Sequence, residues 1–246
     1  MNKKVNLLFL TTAVFLCSCT VTRVNSKTLT LPTKSFVKIL HTTKIISCKD
    51  KNKSDCPIGT FGHSGSGMAI DIVQGKMTVL TAGHVCDTQP NEAIAESIQL
   101  THVVDYAGNR HQAWPIYVSF HNGLGRGDLC LLWVPTLNVK KIPIASKGAN
   151  IGDEVLYIGS PMGIHHPPTV PIFKGIYSGK VDASSGMVTF PAIGGSSGAA
   201  VLNSNNEIIG VVYAANREFH HVSLIVDYKS LIVFLVEAKK ALNSNF

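Results

Sequence analysis

Three short segments carry side chains whose types and order suit nucleophilic acyl transfer. Gly194-Gly195-Ser196-Ser197-Gly198-Ala199-Ala200-Val201 sets two serines among glycines and other small residues. Such a stretch can turn sharply, so that one hydroxyl projects and neighbouring backbone N–H groups stay uncovered to hold a developing negative oxygen. Gly-Ser clusters on their own are ordinarily loops. Upstream, however, Thr81-Ala82-Gly83-His84-Val85-Cys86 offers a histidine, and Asp128-Leu129-Cys130-Leu131-Leu132 an aspartate at the head of an apolar run. A serine hydroxyl is a poor nucleophile at neutral pH and needs a base to take its proton. Histidine suits that task, because its pKa lies near the working pH. A buried carboxylate then holds the ring in one tautomer and stabilises the imidazolium. Taken singly, His84 reads as a structural or surface histidine and Asp128 as a turn residue capping Gly125-Arg126-Gly127. Their order with Ser197 is what points to a triad.

A second assignment uses Ser196, since Gly194-Gly195-Ser196-Ser197-Gly198 formally matches the Gly-x-Ser-x-Gly elbow of α/β-hydrolases. That elbow needs a helix straight after the serine, then an acid, then a histidine. Here the following residues read as a hairpin, and His221, the last histidine, precedes Asp227. Ser197 is therefore the expected nucleophile.

The elements that must position these groups read as strands. Short runs rich in Val, Ile, Leu and Tyr fall at 36–40, 67–73, 77–81, 97–104, 114–120, 128–134, 154–159, 171–180, 186–190, 199–203, 207–214 and 221–227. Gly, Asn, Asp or Pro separate them, the pattern of an all-β sandwich or barrel. Asn203-Ser204-Asn205-Asn206 reads as a hairpin turn. Only 228–242 has helical period, with Leu231, Ile232, Leu235, Ala238 and Leu242 at three- and four-residue steps and Asp227 as an N-cap.

Composition sets outer bounds. At 246 residues, 45% hydrophobic and 15% charged, the chain can bury a substantial core. The formal charge of +7 is spread over scattered Lys and Arg with no basic stripe, so nucleic-acid binding is not indicated. Lys3 and Lys4 precede an apolar run from Leu7 to Leu16, too short to span a bilayer but suited to a signal-peptide core. The run leads into Leu16-Cys17-Ser18-Cys19, which resembles a bacterial lipoprotein signal with Cys19 as the lipidated residue. An ordinary secretory peptide cleaved nearby is the alternative. Both predict an exported chain, periplasmic or in the cell envelope, and the first adds a lipid anchor to a bacterial membrane. Residues 1–19 are then signal, 20–35 a polar tether and 36–246 the domain.

Export also frames the cysteines. Cys48, Cys56, Cys86 and Cys130 remain beyond the signal, an even number that suggests two disulfides, with three connectivities open. Cys48–Cys56 would close a short polar loop, leaving Cys86–Cys130, each two residues past a proposed catalytic residue. A zinc site would want a Cys-x-x-Cys pair, and there is none. His165-His166 reads as a solvated loop and His220-His221 as a strand entrance bordering the substrate cleft. Neither a metal nor a cofactor is called for.

Taken together, these motifs resemble the chymotrypsin-like (trypsin-fold) serine proteases, and within them the bacterial Htr/Deg-type group. Thr81-Ala82-Gly83-His84, Asp128 to Leu132 and Gly195-Ser196-Ser197-Gly198-Ala199 are similar to that family's histidine, aspartate and nucleophile segments. Gly65-Ser66-Gly67-Met68 resembles the Gly-Ser-Gly turn ahead of the first barrel's strands. Gly159-Ser160-Pro161-Met162-Gly163 resembles the family's Gly-Asn-Pro-Phe-Gly loop, and Ile208-Ile209-Gly210-Val211 the strand after the serine.

The resemblance covers about 62–240. It implies two six-stranded antiparallel β-barrels (about 36–140 and 150–227) with the site between them, and protein or peptide substrates. It also implies catalysis by His84, Asp128 and Ser197, with an oxyanion hole from the backbone N–H groups of Gly195 and Ser197.

Departures from the family pattern narrow the expectation. Ser196 stands where zymogen-type members carry aspartate, so activation by N-terminal cleavage is not expected. A PDZ-like domain after the barrels is not expected. Phe190 and Pro191 before the loop, with Tyr213, Ala214 and Ala215 opposite, predict a pocket for a small or aliphatic side chain rather than for Arg or Lys. The rival reading is a catalytically inactive peptide-binding lipoprotein on the same barrels.

Overall fold

The computed structural model describes residues 30–49, 58–72, 75–86, 93–120, 127–216, 218–219 and 221–244. The proposed signal peptide with Cys19, most of the tether, Cys56, His220 and the Gly125-Arg126 part of the predicted turn lie outside them. The first barrel is built from β1 (Phe36–Cys48), β2 (Gly59–Ile70), β3 (Thr78–Thr81), β4 (Ile94–Asp105), β5 (Arg110–Ser119) and β6 (Leu129–Trp133). A single helical turn, α1 (Gly83–Cys86), follows β3. The second barrel uses β7 (Glu154–Ile158), β8 (Ile172–Lys180), β9 (Ser185–Val188), β10 (Ala200–Leu202), β11 (Ile208–Ala215) and β12 (Ser223–Val226), and α2 (Tyr228–Ser244) closes the chain. Each set of six strands forms a closed antiparallel barrel, in the orders β1-β2-β3-β6-β5-β4 and β10-β11-β12-β9-β8-β7.

Barrel closure removes the unpaired edges that an open sheet would expose. It also explains why some strands alternate and others are apolar throughout. Val79, Cys130 and Leu132 fill the interior of the first barrel, while Leu80, Leu129 and Leu131 turn outward to a shared core. That shared core takes Leu156 and Ile158 of β7, Ala200 and Leu202 of β10, and Leu231, Phe234 and Ala238 of α2. With both faces buried, β6 has no place for a polar residue. Tyr157, Tyr177, Phe190 and Ile225 fill the second barrel.

Several expectations change in detail. β1 continues to Cys48, well past the apolar run, and β2 begins at Gly59. Gly65-Ser66-Gly67-Met68 lies inside β2 and is not a turn. Its glycines serve close packing. A Cβ on Gly65 would sit 2.5 Å from Val85 Cγ1 and 3.0 Å from the Ser197 carbonyl oxygen, and one on Gly67 would sit 2.7 Å from Val79 Cγ1. The 203–206 hairpin joins β10 to β11, with Asn206 in the left-handed region at φ 63°. Asp227 precedes α2 and its carbonyl accepts the Leu231 N–H at 2.9 Å. Its carboxylate accepts the Tyr177 hydroxyl at 3.1 Å and pairs with Lys180 at 2.7 Å.

Two predictions concern stability. Phe234 is fully buried and packs 5.3 Å from the Tyr117 ring, so Phe234→Ala should cost about 3–5 kcal/mol in urea unfolding. His41 is buried, and that burial, followed by the nearby His63, pushes its pKa down to about 4. The unfolded chain therefore binds a proton below about pH 6.5 that the folded chain refuses until about pH 4. Stability contributed by this group is present above the unfolded value and is lost as pH falls through that window. The loss should be about 2–3 kcal/mol, absent in His41→Asn when unfolding of the two chains is compared at pH 7 and pH 4.

Candidate active site

The proposed base and its orienter meet at the open end of the first barrel. α1 carries His84, and β6 begins one residue after Asp128. The two carboxylate oxygens of Asp128 both face His84: Oδ1 accepts the His84 backbone N–H at 2.8 Å, and Oδ2 bonds the ring at Nδ1. A carboxylate accepts at both oxygens, so Nδ1 carries the hydrogen and Nε2 is left as the proton acceptor. Asp128 is buried, whereas 45% of the His84 side chain is exposed toward solvent. The Cys86–Cys130 disulfide, with Cα atoms 6.3 Å apart, ties the same two segments again, two residues beyond each of them. Cys48 is also disulfide-bonded.

The proposed nucleophile loop comes from the second barrel and folds around two glycines in the left-handed region, Gly195 at φ 94° and Gly198 at φ 86°. Between them the two serines part company. Ser196 is fully buried, accepts the Ile193 N–H at 3.3 Å and lies 3.3 Å from the Tyr157 hydroxyl, so its oxygen is spent inside the loop. Ser197 is partly exposed and lines the pocket. A Cβ on Gly198 would run into Thr81 Oγ1 and lie 2.9 Å from the Ala82 nitrogen, which places the loop hard against the segment that leads into His84.

The backbone around Ser197 is arranged by what its neighbours are bonded to. Ser196 N–H donates to Ile193 O at 2.9 Å and Gly198 N–H to Val212 O at 2.7 Å. Among the described residues, the Gly195 and Ser197 amides donate to no protein acceptor. The Gly194 carbonyl accepts the Met162 N–H at 2.7 Å. A trans peptide points its C=O and N–H in opposite directions, so this bond turns the Gly195 N–H away from the Met162 loop. Met162 makes that bond from the left-handed region, at φ 52°, within a 3-10 turn over Pro161–Gly163. Lys38 of β1 pins the same turn through the Gly163 carbonyl at 2.7 Å.

Ser66 connects the two barrels. Its hydroxyl donates to Gly195 O at 2.8 Å and accepts Ser160 N–H at 2.9 Å, and its backbone N–H donates to Ser197 O at 2.8 Å. Its carbonyl accepts the Thr81 hydroxyl at 2.7 Å. Sequence reasoning noticed Ser66 only as part of a glycine motif. Its position between two glycines that allow close approach was the available signal.

Beside Ser197 opens a cavity of about 420 Å3 lined by Ala192, Ile193, Gly194, Val212 and Tyr213 to Asn216. Tyr213, Ala214 and Ala215 are among the residues that line it. Phe190 and Pro191 do not line it. Phe190 is fully buried against Tyr157, and Pro191 offers its carbonyl to the Tyr157 hydroxyl at 2.7 Å. The next two residues, Ala192 and Ile193, form that wall instead. Tyr213 contacts Ser185 Oγ at 2.9 Å, and burial, then the charges of Asp182 and Asp128, raise its phenol.

The fold agrees with the comparisons. Residues 65–211 match the trypsin-like peptidase domain, and the chain belongs to that family. Among solved structures it is similar to the serine endoprotease from Yersinia pestis, at 19% identity and a TM-score of 0.60. That match covers 85% of this chain and 64% of the other, so the chain spans just under two thirds of that protein's length. It is also similar to the Rv3671c protease of M. tuberculosis in its active form, at 18% identity and a TM-score of 0.59, covering 83% and 81% of the two chains. The inactive form of that protease gives 18%, 0.58, 84% and 90%. At such identities the likeness speaks for the fold. A sequence search of curated proteins finds no match.

Ser66→Ala would leave the Gly195 carbonyl and the Ser160 N–H without their buried partner. The expected cost is about 1–3 kcal/mol, read as a lower midpoint in urea with unchanged slope.

Proposed function

We propose that this chain is an exported serine endopeptidase that cleaves peptide bonds through an acyl-enzyme intermediate. The observation that carries the reading is the grip of both Asp128 oxygens on His84, on its backbone and on Nδ1. It leaves Nε2 as the basic atom for the Ser197 hydroxyl. In the first step His84 takes the Ser197 proton as Oγ attacks the substrate carbonyl. The Gly195 and Ser197 amides hold the oxyanion, and Asp128 stabilises the imidazolium. His84 then protonates the leaving amine, the acyl group stays on Ser197, and water attacks by the same route in reverse.

The cavity beside Ser197 supports a preference for an uncharged side chain before the scissile bond. Among the described residues its lining carries no charged side chain, and Ala192, Val212, Ala214 and Ala215 give it apolar walls. Ile193, which is exposed, adds apolar surface at the rim. Export is supported by the signal-like N-terminus and by the Cys86–Cys130 disulfide, since such bonds persist in oxidising compartments. Anchoring through a lipid on Cys19 completes the proposal and places the peptidase at a bacterial envelope membrane.

A fluorophosphonate should label Ser197, located by mass spectrometry, and labelling should disappear in His84→Ala. Ser197→Ala should abolish turnover with the fold intact, while Ser196→Ala keeps much of it. The reverse pattern would sink the nucleophile assignment, and peptide binding without labelling would favour a non-catalytic module. Among peptide substrates differing at one position, Val, Ala or Leu before the cut should be preferred over Arg or Lys by about tenfold or more in kcat/KM.

A further inference from the structure

Three histidines from three different elements lie in sequence toward the cleft. His41 of β1 and His63 of β2 are directly opposite in the strand register, with ring centroids 5.0 Å apart and planes tilted by 30°. His63 in turn reaches α1, where Nε2 bonds the Val85 carbonyl at 3.2 Å. Val85 is the residue after His84 on a helix of one turn. So short a helix cannot satisfy its own carbonyls, and each needs an outside donor. A carbonyl only accepts, so the His63 hydrogen is on Nε2.

The ring behind His63 is fixed. His41 is buried, its Nδ1 lies 3.0 Å from Thr101 Oγ1 on β4 and its Nε2 lies 3.4 Å from Thr43 Oγ1. His63 therefore has a rigid backing, one hydrogen-bond partner among the described residues and no part in the proposed triad. Burial first, and then the neighbouring His84, hold its pKa below the ordinary value against the opposing Val85 bond, so it is neutral near pH 7. The titratable groups that face it are His41 from β1 and His84 from α1, and Asp128 lies beyond His84.

We propose that His63 is a positioning residue for His84: its Nε2–H fixes the α1 turn through the Val85 carbonyl, and its neutral ring keeps that flank uncharged so that an imidazolium can form on His84. This rests on the reading of His84 as the catalytic base. A carbonyl held by a neutral donor costs the imidazolium nothing, whereas a cation in the same place would repel it. Asp128 fixes the His84 backbone N–H and Nδ1 on one side of the turn, and His63 fixes the next carbonyl along.

The test compares the full chain with His63→Ala, His63→Gln and His63→Lys. Each is measured by kcat and KM on a peptide substrate and by NMR titration of the His84 ring. His63→Ala should lower kcat about tenfold with KM little changed, and His63→Gln, which restores an N–H donor, should recover most of it. His63→Lys should move the His84 titration, and the acid limb of kcat/KM with it, to lower pH by about half a unit or more. Wild-type kcat in His63→Ala, or equal loss in His63→Ala and His63→Gln, would overturn the positioning role. An unmoved His84 titration in a folded His63→Lys chain would overturn the charge argument. Were the wild-type chain to cleave no peptide, the catalytic reading would fall by itself, and the His84 titration would still decide whether His63 is coupled to it.

Discussion

One buried serine in the first barrel holds two carbonyls of the Gly194–Gly198 loop in the second. Ser66 gives its hydroxyl hydrogen to Gly195 and its backbone N–H to Ser197, and takes the Ser160 N–H in return. The remaining site geometry depends on this contact, because His84 and Asp128 come from one barrel and Ser197 from the other. Apolar packing between barrels is non-directional and tolerates small slides. Buried hydrogen bonds do not, since a displaced donor leaves both partners unpaired in a medium without water. The flanking glycines follow from the same constraint, because Gly65 lies where a side chain would meet Val85 and the Ser197 carbonyl.

How much of this could be read from the chain depends on the reach of each interaction. The twelve strands and the final helix show themselves locally, through apolar runs, turn residues and a helical period. The segments of the proposed triad stand out for a similar reason, since each of the three side chains sits in a short, distinctive run. Elements whose form depends on distant partners are not. Residues 41–48 look polar, with Thr, Ser and Lys among them, and extend β1 because β2 and β4 pair with them on either side. Gly65-Ser66-Gly67 looks like a turn and is a strand packed too closely for side chains.

The pocket shows the same limit at shorter range. Counting back from Ser197 finds the wall to within two residues, but cannot tell which way a side chain points. Phe190 is drawn into the barrel by Tyr157, and its carbonyl accepts the Ser223 hydroxyl at 2.8 Å, so the smaller Ala192 faces the cavity. Ser66, His63 and Met162 escape sequence reasoning altogether as functional residues. Their partners lie from 15 to 131 residues away, and only at Ser66, set between two glycines, does a neighbouring residue hint at such a contact.

Met162 states the balance of forces around the cleft most plainly. A residue with a side chain in the left-handed region is held there at a cost of about 1–2 kcal/mol. Its side chain is 71% exposed, so little packing offsets that cost. What the conformation does supply is an N–H aimed at the Gly194 carbonyl, with Gly163 anchored by Lys38 to keep the turn closed. Release of that carbonyl would free the Gly194–Gly195 peptide to rotate, removing one of the two amides beside Ser197. Backbone strain is thus found where an orientation matters more than stability.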